Sequence, residues 1–126
     1  MSGIRIASRY AKSLLDLCIE QGQIDAAKAD MVMLHGIMEE SRDLRLMLSS
    51  PVVKADKKVD ILHKMFDGKV NDITMGFMAL LTRKGREGYL PEIVTSFLNQ
   101  LRKHQGITVA EVTSAVALDA GSRAHL

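Results

Sequence analysis

Five side chains of this 126-residue chain could hold a metal or shuttle a proton near neutral pH: Cys18 and the histidines His35, His63, His104 and His125. The histidines fall on separate stretches, without the close pairing that gathers ligands around a zinc ion. One cysteine excludes an internal disulfide framework and a multi-cysteine metal site. Cys18 also sits on an apolar helical stripe, the usual place of a buried, inert thiol. Lys84-Gly85-Arg86-Glu87-Gly88 has the glycines and cations of a phosphate loop. It lacks the preceding strand and the Gly-Lys-Ser/Thr ending that such a loop needs, so it reads as a turn between helices. Arg83, Lys84 and Arg86 have no nucleophile, base or metal ligand in sequence reach to make a reaction of them. No catalytic residue, metal site or cofactor is expected.

The overall balance points the same way. A net charge of +2 with 25% charged residues, interleaved in sign along helical stretches, describes solvated faces with helical ion pairs. There is no Trp, and the three Phe and two Tyr are not interleaved with cations, so nothing calls for a nucleic-acid partner. No apolar run approaches the ~20 residues of a membrane span. The opening residues MSGIRIASRY run straight into helical periodicity. They lack the apolar core of a secretory signal and the Arg- and Ser-rich composition of an import leader. The expectation is a cytosolic protein.

The elements that position these residues are helices. Ile4, Ala7, Ala11, Leu14 and Cys18 form one stripe in 3-4-3-4 spacing, widened by Leu15 and Ile19, and Gly22 ends the helix. Ile24, Ala27, Met31, Leu34 and Met38 repeat the spacing over 24–40, so the first two helices form an antiparallel hairpin. Ser41 suits the N-cap of a short third helix over 43–49, stopped by Pro51. A fourth runs over about 54–66 with Val59, Leu62 and Phe66 inward and Gly68 behind it. Asn71 or Asp72 can cap a fifth. Pro91 stands in the first turn of a sixth, with Leu90, Val94, Phe97 and Leu101 inward, ending near Gly106. From Ile107 to Leu118 the residues turn β-branched with imperfect period two. A single strand has nothing in this chain to pair with. The expected fold is all-α: a six-helix bundle over 1–105, followed over 106–126 by the first strand of an incomplete α+β C-terminal domain.

Two of these helices are more apolar than one core requires. On the first, Ile6, Tyr10 and Leu17 add a second ridge with Leu14 at its border. Its apolar arc spans about 220°, against the roughly 100° or slightly more of an ordinary surface helix. On the fifth, Ile73 to Leu81 carries no charge. Met75, Met78 and Ala79 face one way and Ile73, Gly76, Phe77 and Leu80 the other. Gly76 costs about 1 kcal/mol against Ala in mid-helix, which a close helix approach would explain. Eight Met residues suit an ordinary core as well as an adaptable groove. Two adjacent surplus faces would make a trough for an amphipathic helix from a partner. A generic helical adaptor meets this description.

Ala7-Ser8-Arg9-Tyr10-Ala11-Lys12-Ser13-Leu14-Leu15-Asp16 followed by Glu20-Gln21-Gly22 resembles the N-terminal signature of the rotary ATP synthase delta subunit, whose mitochondrial relative is the oligomycin-sensitivity-conferring protein. Three further segments agree in order and spacing: Leu48-Ser49-Ser50-Pro51-Val52, Leu80-Leu81-Thr82-Arg83-Lys84-Gly85-Arg86 with Leu90, and Gly106-Ile107 leading to Thr113-Ser114-Ala115-Val116-Ala117-Leu118. The resemblance implies a non-catalytic stator subunit at the cytoplasmic face of the bacterial cell membrane, associated with the membrane only through its complex. It also implies a groove between the first and fifth helices that takes the N-terminal helix of an alpha subunit. The residues expected there are Ile6, Tyr10, Ser13, Leu14, Leu17, Ile73, Gly76, Phe77 and Leu80. Ser13, at the groove edge, stands where the family often has Ala. The resemblance also implies a C-terminal domain that meets the stalk b subunit, of which only the beginning is expected within residues 106–126.

Overall fold

A computed structural model of the protein describes residues 2–106. The strand expected from Ile107 and the domain that it would open lie outside the described residues. Among those described, the chain forms an all-α bundle: α1 (Ser2–Gln21), α2 (Ile24–Glu40), α3 (Arg42–Ser49), α4 (Ala55–Phe66) and α5 (Asp72–Arg83). A 3-10 turn, Glu87–Tyr89, then feeds α6 (residues 90–106).

Local chemistry sets the helix ends. After α1 the amide of Gln23 donates to the carbonyl of Cys18 at 2.8 Å and that of Gly22 to Ile19 at 3.2 Å. This is a Schellman motif, which requires the left-handed φ of +67° that Gly22 adopts. After α5 the motif recurs, Arg86 to Leu81 at 2.8 Å and Gly85 to Thr82 at 3.1 Å, with Gly85 at φ +72°. Ser41 caps α3 by accepting from the amide of Leu44 at 3.2 Å. Of the two cap candidates for α5, Asn71 serves, its Oδ1 accepting from the amide of Ile73 at 2.9 Å.

The core is one cluster fed by every α-helix: Leu14 and Cys18, Met31 and Leu34, Leu48, Leu62 and Phe66, Met78 and Leu81, and Ile93, Phe97 and Leu101. The stripes read from spacing supply most of it, joined by Leu44, Leu48, Phe77, Leu81 and Ile93. Ile4 and Ile19 are exposed, and Ile24 and Val59, the latter beside the buried Lys58, are only half-buried. Ile4, at the head of the first stripe, is 68% exposed. It overhangs the start of α6, where the small side chains of Ala7, Thr95 and Ser96 leave an open cleft of about 410 Å³. No described helix of this chain packs against Gly76, because a Cβ added there would meet nothing within 4 Å.

Two buried polar nodes hold the helices in place. Asp30 of α2 accepts through Oδ2 from the amide of Asn71 at 2.8 Å and the hydroxyl of Thr74 at 2.7 Å, fixing the first turn of α5. Lys58 of α4 donates to the carbonyl of Leu48 and to Oε1 of Glu87, each at 2.9 Å. That bond ties α3, α4 and the 3-10 turn together. Both charges stand at stripe positions of otherwise apolar faces, one residue before Met31 and four before Leu62.

Candidate partner-binding groove

Two ring contacts and one link through α2 relate α1 to α5. At the C-terminal end of α1, Cys18 is buried in the same core cluster as Met31 of α2, whose neighbour Asp30 holds the start of α5. At the N-terminal end, Gly3 lies against the ring of Tyr89, where a Cβ would come within 3.2 Å of Cε1, just beyond the end of α5. Midway, the rings of Tyr10 and Phe77 meet edge to face, 6.5 Å between centroids and 65° between planes. The two helices therefore run antiparallel and touch through this aromatic pair.

The surplus faces flank that contact. Ile6 and Tyr10 on α1 and Ile73 on α5 are half-buried, Phe77 is buried, and Ser13 and Gly76 are exposed. Leu17 is 41% and Leu80 43% exposed, high for leucines on ordered helices. Leu17 on α1 and Leu80 on α5 thus stay exposed beside the Tyr10–Phe77 contact, as the sides of the expected channel. Leu14, expected at its border, is only 1% exposed. Its side chain turns past the ridge into the core, so it offers no surface. The hydroxyl of the exposed Ser13 donates to the carbonyl of Arg9 at 3.1 Å, within its own helix.

The side chains that could carry chemistry lie elsewhere. Cys18 is fully buried. Burial pushes its thiol above the ordinary value of 9.0 and the carboxylate of Asp30 adds to the effect, so it stays protonated. His35 lies 3.5 Å from Glu39 one turn along α2. His125 falls outside the described residues. Among those described, no three His, Cys, Asp or Glu side chains gather as a metal would need. The segment from Lys84 to Gly88 links α5 to the 3-10 turn, and its Gly85 and Arg86 amides are engaged in the Schellman motif that closes α5. Sequence spacing missed Asp30, Lys58 and Glu87, which position α5 and the turn after it. The signal available was a charge at an apolar-stripe position.

A family model described as "ATP synthase delta (OSCP) subunit" matches residues 6–126. The chain is 39% identical to the ATP synthase subunit delta of Cytophaga hutchinsonii over 99% of its own length and 69% of that protein's. It is 41% identical to the subunit of the same name from Chlorobium phaeobacteroides, over 94% of this chain and 66% of that one. The chain thus spans about two thirds of the length of these curated relatives. Its fold is similar to a chain in the cryo-EM structure of the Toxoplasma gondii mitochondrial ATP synthase hexamer. That match has a TM-score of 0.68 and 23% identity, over 72% of this chain and 51% of that one. On the family model and these relatives, the chain belongs to the ATP synthase delta (OSCP) subunit family.

Proposed function

We propose that the protein is a non-catalytic stator subunit of the rotary ATP synthase, tying the catalytic head to the peripheral stalk. The α1–α5 channel takes the N-terminal helix of an alpha subunit. The observation that carries this reading is the pair of exposed leucines, Leu17 and Leu80, on either side of the Tyr10–Phe77 contact. A soluble surface keeps such a strip when a partner covers it. Tyr10 fits the part, half-buried with its ring against Phe77, since interface aromatics commonly combine an apolar body with a polar tip. An amphipathic helix in the channel would bury about 800 Å² per partner, the size of a stable interface. The family relationship supports the complex in which this happens.

In this reading residues 1–105 form the head-binding bundle and residues from 106 onward open a second domain that faces the stalk b subunit. The protein works at the cytoplasmic face of the bacterial cell membrane, held there by its complex. No described helix is long and apolar enough to cross a membrane.

Calorimetric titration with the isolated N-terminal segment of the alpha subunit tests the proposal. The wild-type chain binds it, and Leu80→Asp weakens binding by at least ~2 kcal/mol, as a central hot spot does, with the melting temperature nearly unchanged. Equal affinity in the two proteins would remove the channel from the account. Binding of unrelated amphipathic helices as tightly as the alpha segment would make the protein a generic adaptor.

A further inference from the structure

The channel has charged corners. On α1, Arg9 stands one turn before Ser13 and Glu20 one turn after Leu17; on α5, Asp72 stands one turn before Gly76 and Arg83 one turn after Leu80. Within each helix the two charges are eleven residues apart, close to three full turns and about 16 Å. Each pair therefore lies on one line along the outer rim of the channel. Because α1 and α5 run antiparallel, Arg9 and Arg83 flank one end, and Glu20 and Asp72 flank the other. All four are exposed.

Neighbouring charges leave this pattern standing. Asp16, further round α1, is engaged by Lys12 at 3.1 Å. Lys84, one turn beyond Leu80, adds to the basic end. Asp72 and Arg83 also suit the dipole of their own helix, but that does not account for α1. Arg9 lies in mid-helix, and Glu20 is an acid in a last turn that holds no base, where the dipole disfavours it.

We propose that these four corners set the orientation of the helix that the channel takes. Its acidic flank lies between Arg9 and Arg83, and its basic flank, about three turns away, lies between Glu20 and Asp72. The partner is thus an amphipathic helix whose charges are segregated end to end, and like-charge contacts reject the reverse placement. This rests on the channel being the docking site.

The probe is a synthetic amphipathic helix of about six turns. It carries a leucine stripe, Glu flanking the stripe in its N-terminal half, Lys flanking it in its C-terminal half, and a nitroxide at its N-terminus. Exposed ion pairs are individually weak, so turning two attractions into repulsions in Arg9→Glu/Arg83→Glu should weaken binding about tenfold at low salt. The weakening should fade at high salt. In the fourfold variant R9E/R83E/E20K/D72K the affinity should return. The nitroxide, which broadens amide signals near Arg83 in the wild type, should then broaden those near Asp72. Unchanged affinity in the double variant, or an unchanged nitroxide position in the fourfold variant, overturns the proposal. Leu80→Asp separates the two levels: lost binding there with insensitive corners leaves the channel and removes the charge frame. Unaffected binding in Leu80→Asp removes both.

Discussion

Tyr10 and Phe77 meet edge to face at 6.5 Å, across two helices whose sequence positions are 67 apart. The contact turns two separately over-apolar helices into one surface. Aromatic pairs in this geometry contribute about 0.5–1.5 kcal/mol beyond their buried area. The ring of Phe77 is covered by the contact, while Leu17 and Leu80 beside it stay open.

Gly76 separates folding from binding. Its position is open and helical, so Gly76→Ala should raise stability by up to about 1 kcal/mol, read as a higher urea midpoint. The added methyl points where a partner backbone would lie and should weaken a docked helix by about 1–3 kcal/mol, as overpacking does. A gain in both would show that no partner approaches Gly76.

Lys58 is 4% exposed in its side chain and Glu87 14%, and Oε2 of Glu87 is buried with no hydrogen-bond partner. Lys58→Met should leave that carboxylate and the Leu48 carbonyl stranded, at about 3–5 kcal/mol. The double variant Lys58→Met/Glu87→Leu should recover much of the loss in urea unfolding. A double variant no more stable than the single would mean that Glu87 escapes to solvent.

Asp30→Ala removes two acceptor contacts to the start of α5 and strands the buried hydroxyl of Thr74. Bonds to a charged acceptor are worth about 1.5–3 kcal/mol, and a loss of that size is expected. Asp30→Asn, which keeps an acceptor oxygen, should lose less. Amide exchange at residues 72–76 should quicken in both variants, and a uniform change over the bundle would contradict the local role.

The six helices were legible because each buries a stripe in regular spacing and is stopped by Gly, Pro or a capping side chain. The two surplus ridges were legible for the same reason, as apolar residues with no core left to fill. The side on which each ridge residue ends up was not. Tyr10 stands on the ridge and Leu14 at its border one turn on, yet Leu14 lies wholly in the core while Tyr10 is half-buried. That outcome depends on how α1 leans against α5, which spacing on a single helix does not determine. Asp30 and Lys58 escaped notice because pattern reading treats a charge on an apolar stripe as noise, whereas a buried partner contributed by another helix makes it structural.

Cys18 gives a pH signature. Its thiol is held above the ordinary 9.0 by burial and by Asp30, so the folded protein keeps a proton that the unfolded chain releases. Stability from this group is intact below that value and falls as pH rises through and beyond it. A thiol reagent at pH 8 should label Cys18 only at the unfolding rate. Asp30→Asn should lower the pH at which labelling of the native state begins. Fast labelling of the native protein would place the thiol at the surface.

Amide chemical-shift mapping on the isotopically labelled protein, titrated with the N-terminal segment of the alpha subunit, tests the central claim most directly. The largest shifts should fall on Ile6, Tyr10, Ser13, Leu17, Ile73, Gly76, Phe77 and Leu80. Residues at the cleft of Ile4, Pro91 and Ser96 on the other side of α1 should stay still. Shifts centred on that cleft, with the Tyr10 and Phe77 signals unmoved, would contradict it.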